Sequence, residues 1–238
     1  MCGIAGIHGL EGLSDPEGLV KRMNAVMAHR GPDADGVLRR GNSVLGHRRL
    51  SIIDLSPESN QPFLSDDGRL AIAFNGEIYN YRELKQELHR PWRTGGDTEV
   101  LLAAYEAWGV DCLHRLQGMF AFVIHDRDSD ELFIARDRMG IKPLYWYRDD
   151  ERVLFASELR ALLATDLVPR RLDRVALIDH LRYQTVHEPA TIVEGVRMLE
   201  AGHWIRVSDQ ELSTGRWYDL AHAVKRDTER LPLEAVKH

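Results

Sequence analysis

The sequence predicts an α+β domain, a mostly antiparallel β core with helices packed over it, and three observations point there. Four apolar, strand-sized runs at 119–125, 131–136, 144–147 and 153–157 follow one another closely. The turns between them, such as Asp126–Asp130 and Arg148–Glu151, suit antiparallel neighbours, because a parallel pair needs a crossover of a dozen or more residues. Helical stripes flank this stretch on both sides, ready to cover a sheet face. Finally, 238 residues with 44% hydrophobic and 29% charged side chains can bury a sizeable core and are not disordered in composition.

Residues 2–8 mix small and β-branched groups and read as a short buried strand. Ser14-Asp15-Pro16-Glu17 reads as a helix start, with Ser14 as the cap, Glu17 three residues on and proline in the first turn. Leu19, Met23, Val26 and Met27 form its apolar stripe, and Arg30-Gly31-Pro32-Asp33 ends it. Val37–Arg40 and Ser43–His47 flank Gly41-Asn42 as a hairpin. Leu70–Phe74 is a buried strand ending in Asn75-Gly76. Tyr81–Leu88 is a short amphipathic helix, and Asp97-Thr98-Glu99 opens a stronger one closed by Gly109. After the four strands come helices at about 158–164 and 174–183 and a strand at His203–Val207. Residues 220–238 are charged and carry no strand signal, with a helix start near Leu233 to Val236.

Composition narrows the function classes. Against 31 Lys and Arg stand 37 Asp and Glu, a formal charge of −6, which disfavours a general nucleic-acid role. No apolar stretch nears the roughly 20 residues of a membrane span, and the N-terminus lacks the pattern of a signal peptide. Two cysteines, Cys2 and Cys112, make no disulfide scaffold, so a reducing, cytoplasmic location is expected. The eleven histidines are scattered without metal-ligand spacing, and no metal site is expected. Asp126, Asp128 and Asp130 alternate like a calcium loop but lack its glycine and glutamate, so they read as a solvated turn.

Four features could carry chemistry. Cys2 would hold a free α-amine once Met1 is removed, placing nucleophile and base on one residue. The small residues Gly3, Ala5 and Gly6 would admit substrate and neighbouring strands; the plainer alternative is a structural cysteine near a terminus. Asn75-Gly76 offers a side-chain amide beside an unhindered backbone N–H, the donor pair of an oxyanion hole, although alone it reads as a β-turn. In Gly46-His47-Arg48-Arg49, strand alternation turns the two arginines to opposite faces, so one can enter a pocket and fork a carboxylate; otherwise both are surface residues. Asp97 is either a helix N-cap or, paired with Arg49, one jaw of a clamp for a zwitterionic amino acid. Thr94-Gly95-Gly96-Asp97-Thr98 misses the register of a pyrophosphate-binding loop by one residue.

The order of the motifs decides among these. Met1-Cys2-Gly3-Ile4-Ala5-Gly6, His29-Arg30-Gly31-Pro32-Asp33, Gly46-His47-Arg48-Arg49-Leu50-Ser51-Ile52-Ile53-Asp54 and Gln61-Pro62 come first. Then come Phe74-Asn75-Gly76-Glu77-Ile78-Tyr79-Asn80, Gly96-Asp97-Thr98-Glu99, Gln117-Gly118-Met119-Phe120-Ala121-Phe122, the run Ala135 to Tyr145, and Ala156-Ser157-Glu158. The series resembles, over about residues 2–219, the N-terminal glutaminase domain of glutamine-hydrolysing asparagine synthetases and other class II glutamine amidotransferases.

The resemblance implies a four-layer αββα N-terminal-nucleophile hydrolase sandwich with two antiparallel sheets. It implies Cys2 as nucleophile, Asn75 and Gly76 as oxyanion hole, Arg49 as binder of the glutamine carboxylate, and Asp97 as acceptor of its ammonium. The backbone of Leu50, Ser51, Ile52 and Ile53, with Glu77, completes the implied pocket; Arg30 is implied to stand behind it. Arg136 to Pro143 is expected to build the sheet and meet a partner domain. On this reading residues 1–219 form the glutaminase domain, and 220–238 are a tail or the start of an absent synthetase domain. No cofactor is expected in this chain, ATP and Mg²⁺ belonging to that synthetase domain. The partners are then glutamine and the synthetase domain or subunit, with a homodimer left open. The rival class is a domain that binds glutamine or a partner without turnover.

Overall fold

The computed structural model describes residues 1–208 and 211–224. Its first sheet contains β1 (Gly3–His8), β2 (Ala34–Arg40), β3 (Ser43–Arg49), β8 (Tyr145–Arg148), β9 (Val153–Ala156) and β10 (Val196–Met198). The second contains β4 (Phe63–Leu64), β5 (Leu70–Ile78), β6 (Gly118–Asp126), β7 (Glu131–Arg136), β11 (His203–Val207) and β12 (Leu212–Arg216). The strand orders are β10-β8-β9-β1-β3-β2 and β12-β11-β7-β6-β5-β4, and the paired strands are antiparallel. The helices are α1 (Pro16–Val26), α2 (Tyr81–Leu88), α3 (Thr98–Trp108), α4 (Cys112–Arg115), α5 (Leu159–Leu163) and α6 (Arg174–Tyr183).

Side-chain alternation sorts the core into three slabs. Ala5, Ile7 and Val44 pack under α1 and α5 with Val20, Met23, Met27 and Leu162. Ile72, Phe74 and Ile78 pack under α3 with Val100, Leu101 and Ala104. Between the sheets lie Ile4 and Leu45 from one side and Ala71, Ala73, Ala121, Val123 and Ile134 from the other. Helix, sheet, sheet and helix therefore follow one another, the expected αββα layering. The register of the middle slab places the site: even positions of β1 and odd positions of β3 and β5 face the gap.

Several elements depart from expectation. Asp15, not Ser14, caps α1, its carboxylate accepting from Gly18 N at 2.9 Å. The α1 stripe is rotated, with Val20 buried and Val26 exposed. Gly6 serves packing rather than substrate, because a Cβ there would lie 2.2 Å from the Phe155 ring. The Asp126–Asp130 turn is held by an ion pair of Asp126 with Arg69 at 2.7 Å and a hydrogen bond between His125 Nε2 and Asp130 at 2.7 Å. Short β4, β10 and β12 carry too few apolar residues to announce themselves. The helix start near Leu233 to Val236 lies outside the described residues. Among the described residues no helix is long and apolar enough to cross a membrane, and no group of three or more His, Cys, Asp or Glu is placed to hold a metal ion.

Candidate active site

At one end of the middle slab the same strand faces turn polar. Two residues beyond Ile4, back along the chain, stands Cys2; two and four beyond Leu45 stand His47 and Arg49; two and four beyond Ala73 stand Asn75 and Glu77. All but His47 line one cleft, with about 660 Å³ of empty space counting its open mouth. Leu50, Ser51, Ile52, Ile53, Gly76 and Asp97 line it too, so the ten residues expected of the site meet in one place.

Cys2 is mostly buried beside the end of β3. Its Sγ lies 3.4 Å from Leu50 N, which donates to it, and 3.6 Å from Leu50 O. Burial raises the thiol pKa above its ordinary value, against the pull of the Leu50 N–H and the nearby Arg49 charge. The resting sulfur is thus held as a thiol and needs a base to become a nucleophile. Arg30 Nε donates to Cys2 O at 2.9 Å, and Arg30 Nη1 reaches Glu158 Oε1 at 3.1 Å. Cys112, by contrast, is fully buried among apolar groups, and burial pushes its thiol up to about 12.

Arg48 and Arg49 do face opposite ways. Arg48 Nε donates to Gly31 O at 2.9 Å on the α1 side. Arg49 is buried, and its Nη1 donates to Ser56 O at 2.8 Å and Asn60 Oδ1 at 2.7 Å, while Nη2 donates to Asp54 O. Three of its five N–H groups thus hold the 54–60 segment. Asp54 latches that segment to the next loop, accepting from Ser56 N at 2.8 Å and Gly95 N at 2.7 Å. Those bonds hold its carboxyl far below the usual carboxylate range. Gly96, the next residue, lines the cleft.

Asn75-Gly76 is not a turn. β5 runs through it to Ile78, with Asn75 opposite Ala121 and Gly76 opposite Phe120. The β6 pairing carries the strand through, and what frees its donor lies at the other edge of β5. β4 stops at Phe63, where Pro62 has no N–H to extend the ladder. The even-numbered peptide groups of β5 beyond it need other partners. Phe74 N donates to Gln61 Oε1 at 2.6 Å, and Ile78 N donates to Asp97 Oδ2 at 2.9 Å. Between them, alternation turns the Gly76 N–H to the same edge, into the cleft. Only glycine fits there, since a Cβ would lie 2.3 Å from Met119 O. The Asn75 Nδ2 is buried and, among the described residues, has no hydrogen-bond partner. An orphaned buried donor is costly, and it marks a place where another acceptor belongs.

Asp97 precedes α3 without capping it by a side-chain bond, because its carboxylate is spent on Ile78 N. Burial chiefly, and the Glu77 charge in addition, push its pKa up to about 6. A cation between Asp97 and Glu77 would offset the cost of both the burial and the neighbouring charge. The sequence announces no separate role for His47, Asp54, Gln61 or Lys142, though all four sit inside its motif series. Lys142 is a buried lysine in the cleft wall, from the segment expected to face a partner domain. Arg136 in that segment is structural, donating to Lys142 O at 2.8 Å and Gly140 O at 2.6 Å.

Known proteins resemble this chain in sequence and in fold. The family model described as "Glutamine amidotransferase domain" matches residues 1–218. Asparagine synthetase [glutamine-hydrolyzing] 1 of Bacillus subtilis is 41% identical over 210 residues, covering 85% of this chain and 33% of that protein. A putative asparagine synthetase [glutamine-hydrolyzing] of Mycobacterium tuberculosis H37Rv is 40% identical over 238 residues, covering 90% of this chain and 36% of that protein. The chain thus spans about a third of the length of these curated relatives. Glutamine phosphoribosylpyrophosphate amidotransferase from B. subtilis superposes with a TM-score of 0.69 at 22% identity, over 91% of this chain and 49% of that one, a likeness of fold.

Proposed function

The chain belongs to the glutamine amidotransferase domain family, a class II member of N-terminal-nucleophile hydrolase fold, and from that premise we propose that it hydrolyses glutamine to glutamate and ammonia at Cys2. The observation that carries this reading is the convergence of Cys2, Arg49, Asn75, Glu77 and Asp97 on one cleft, with the Asn75 amide buried and unpartnered among the described residues.

Glutamine enters as a zwitterion. Its α-carboxylate takes the remaining N–H groups of Arg49, and its ammonium sits against Asp97 and Glu77. Removal of Met1 gives Cys2 an α-amine with an ordinary pKa of about 7.7–8.0, able to take the thiol proton. Sulfur attacks the side-chain amide carbon; the carbon–oxygen π bond opens onto oxygen, which the Asn75 Nδ2 and Gly76 N–H receive. The C–N bond breaks, the amine returns its proton to the leaving nitrogen, and ammonia departs from a γ-glutamyl thioester. Water then adds, passing its proton to the amine; the C–S bond breaks, sulfur recovers the proton, and glutamate leaves. The ammonia supplies an ATP- and Mg²⁺-dependent synthetase domain or subunit that amidates a carboxylate, with aspartate as the acceptor suggested by the asparagine synthetase relatives. A free thiol nucleophile suits a reducing cytoplasm.

The test is ammonia and glutamate release from purified chain whose loss of Met1 is verified by intact mass, with and without a synthetase partner. Cys2→Ala should end glutamate release while glutamine binding persists. A Cys2→Ala protein that hydrolyses at the wild-type rate refutes the mechanism; a fully active preparation that retains Met1 refutes the amine as base.

A further inference from the structure

We propose that His47 is a positioning residue for the oxyanion: its imidazole and the Gln61 amide clamp the two peptide groups of Phe74, and that clamp aims the Asn75 donor. This rests on the glutaminase reading above.

His47 leaves β3 on the gap-facing side, fully buried, and its Nε2 lies 3.0 Å from Phe74 O in the opposite sheet. A carbonyl only accepts, so Nε2 carries the proton and donates. Across the same residue, Gln61 Oε1 accepts from Phe74 N at 2.6 Å, and Gln61 Nε2 donates to Thr98 Oγ1 at 3.2 Å. Phe74 N–H belongs to the peptide entering Phe74, and Phe74 C=O to the peptide that leads into Asn75. Fixing both planes fixes the path of β5 where no β4 backbone supports it. One residue later comes the Asn75 donor.

The clamp is built of unusual material for its place. Its neighbours on the same faces are Ile4, Leu45, Ala71 and Ala73, an apolar slab. An apolar residue at position 47 would pack there, whereas the histidine leaves its Nδ1 buried without a partner among the described residues. Burial, with Arg49 and Arg48 nearby, pushes the imidazole pKa down to about 3. The ring therefore stays neutral, so it is no proton shuttle. What it supplies is one fixed N–H, aimed at the peptide beside the oxyanion donors.

A residue that only stabilised the fold would lower stability and leave chemistry per folded molecule alone. The clamp predicts a split. His47→Leu should lower kcat about tenfold or more, with KM and glutamate affinity within about threefold, while His47→Gln, which keeps an N–H donor, recovers most of the rate. The deciding measurement is a double-mutant cycle with Asn75→Ala, each protein first verified as folded by its circular dichroism and thermal melt. If His47 acts through the Asn75 donor, His47→Leu costs at most about threefold in the Asn75→Ala background. An equal loss in both backgrounds overturns the proposal, as does a loss confined to KM. Should His47→Leu not fold, Gln61→Met removes the other jaw, and its cycle with Asn75→Ala is read by the same two outcomes. A wild-type chain that releases no ammonia overturns the glutaminase reading itself; an active wild type with an uncoupled cycle overturns the clamp alone.

Discussion

The two ends of the gap between the sheets are made by the same strands and the same faces, yet they hold opposite materials. At the closed end β1, β3 and β5 contribute Ile4, Leu45, Ala71 and Ala73, buried and apolar. At the open end, two to four residues along each strand, they contribute Cys2, Arg49, Asn75 and Glu77. The closed end gains free energy from burial. The open end spends it on a desolvated thiol, a carboxyl pushed up to about 6 and an amide with no partner among the described residues. Active-site placement here is inherited from core placement: the period of two that buries Leu45 also buries Arg49. Substitutions at the two ends should accordingly separate stability from chemistry.

Asn75→Ala should show the widest separation, with kcat falling about 10²–10³-fold, equivalent to about 3–4 kcal/mol, and the melting temperature held or raised because the unpartnered amide is gone. Ammonia release under saturating glutamine measures the first and calorimetry the second. Leu45→Ala at the closed end should do the reverse, costing about 3 kcal/mol of stability in denaturant titration while kcat per folded molecule holds. A rate loss at Leu45 matching that at Asn75 would erase the distinction.

Asp97 sharpens the comparison through pH. Its folded pKa, about 6, lies above the ordinary 3.8, so the carboxylate opposes folding once both states ionise, and the unliganded protein loses stability as pH rises from about 4 through 6. Asp97→Asn should stabilise the unliganded chain by about 1–2 kcal/mol above pH 7. It should also raise KM for glutamine and abolish the wild-type rise in KM below pH about 6. Melts and KM measured between pH 5 and 8 check both signs. Arg48→Lys should have the smallest effect: under about 1 kcal/mol in stability and an unchanged KM, because that side chain serves the α1 face. A large change in KM would mean that the two faces of β3 are coupled.

Much of this is legible in sequence because it follows from local rules. The opposed arginines need only strand alternation, and α2 and α3 begin and end where their apolar stripes and Gly109 place them. Asn75-Gly76 by itself reads as a turn because Asn-Gly is the strongest short turn signal, and nothing local reveals a nine-residue strand that carries it through. Asp97 looks like a cap because its real partner, Ile78 N, comes from another element. His47 and Gln61 give no sign of their shared hold on Phe74, which lies 27 and 13 positions from them respectively. Long-range hydrogen bonds of this kind have no periodicity to read.

The early stop of β4 has one more consequence. Sheets grow by adding edge strands, and a variant whose residues 59–61 straightened into register opposite 74–76 would complete the ladder that Pro62 interrupts. Such a protein would be better hydrogen-bonded and less exposed to edge-on aggregation, and its cleft would be sealed by its own backbone. Selection for a tidier sheet and selection for an open cleft therefore pull on this edge in opposite directions.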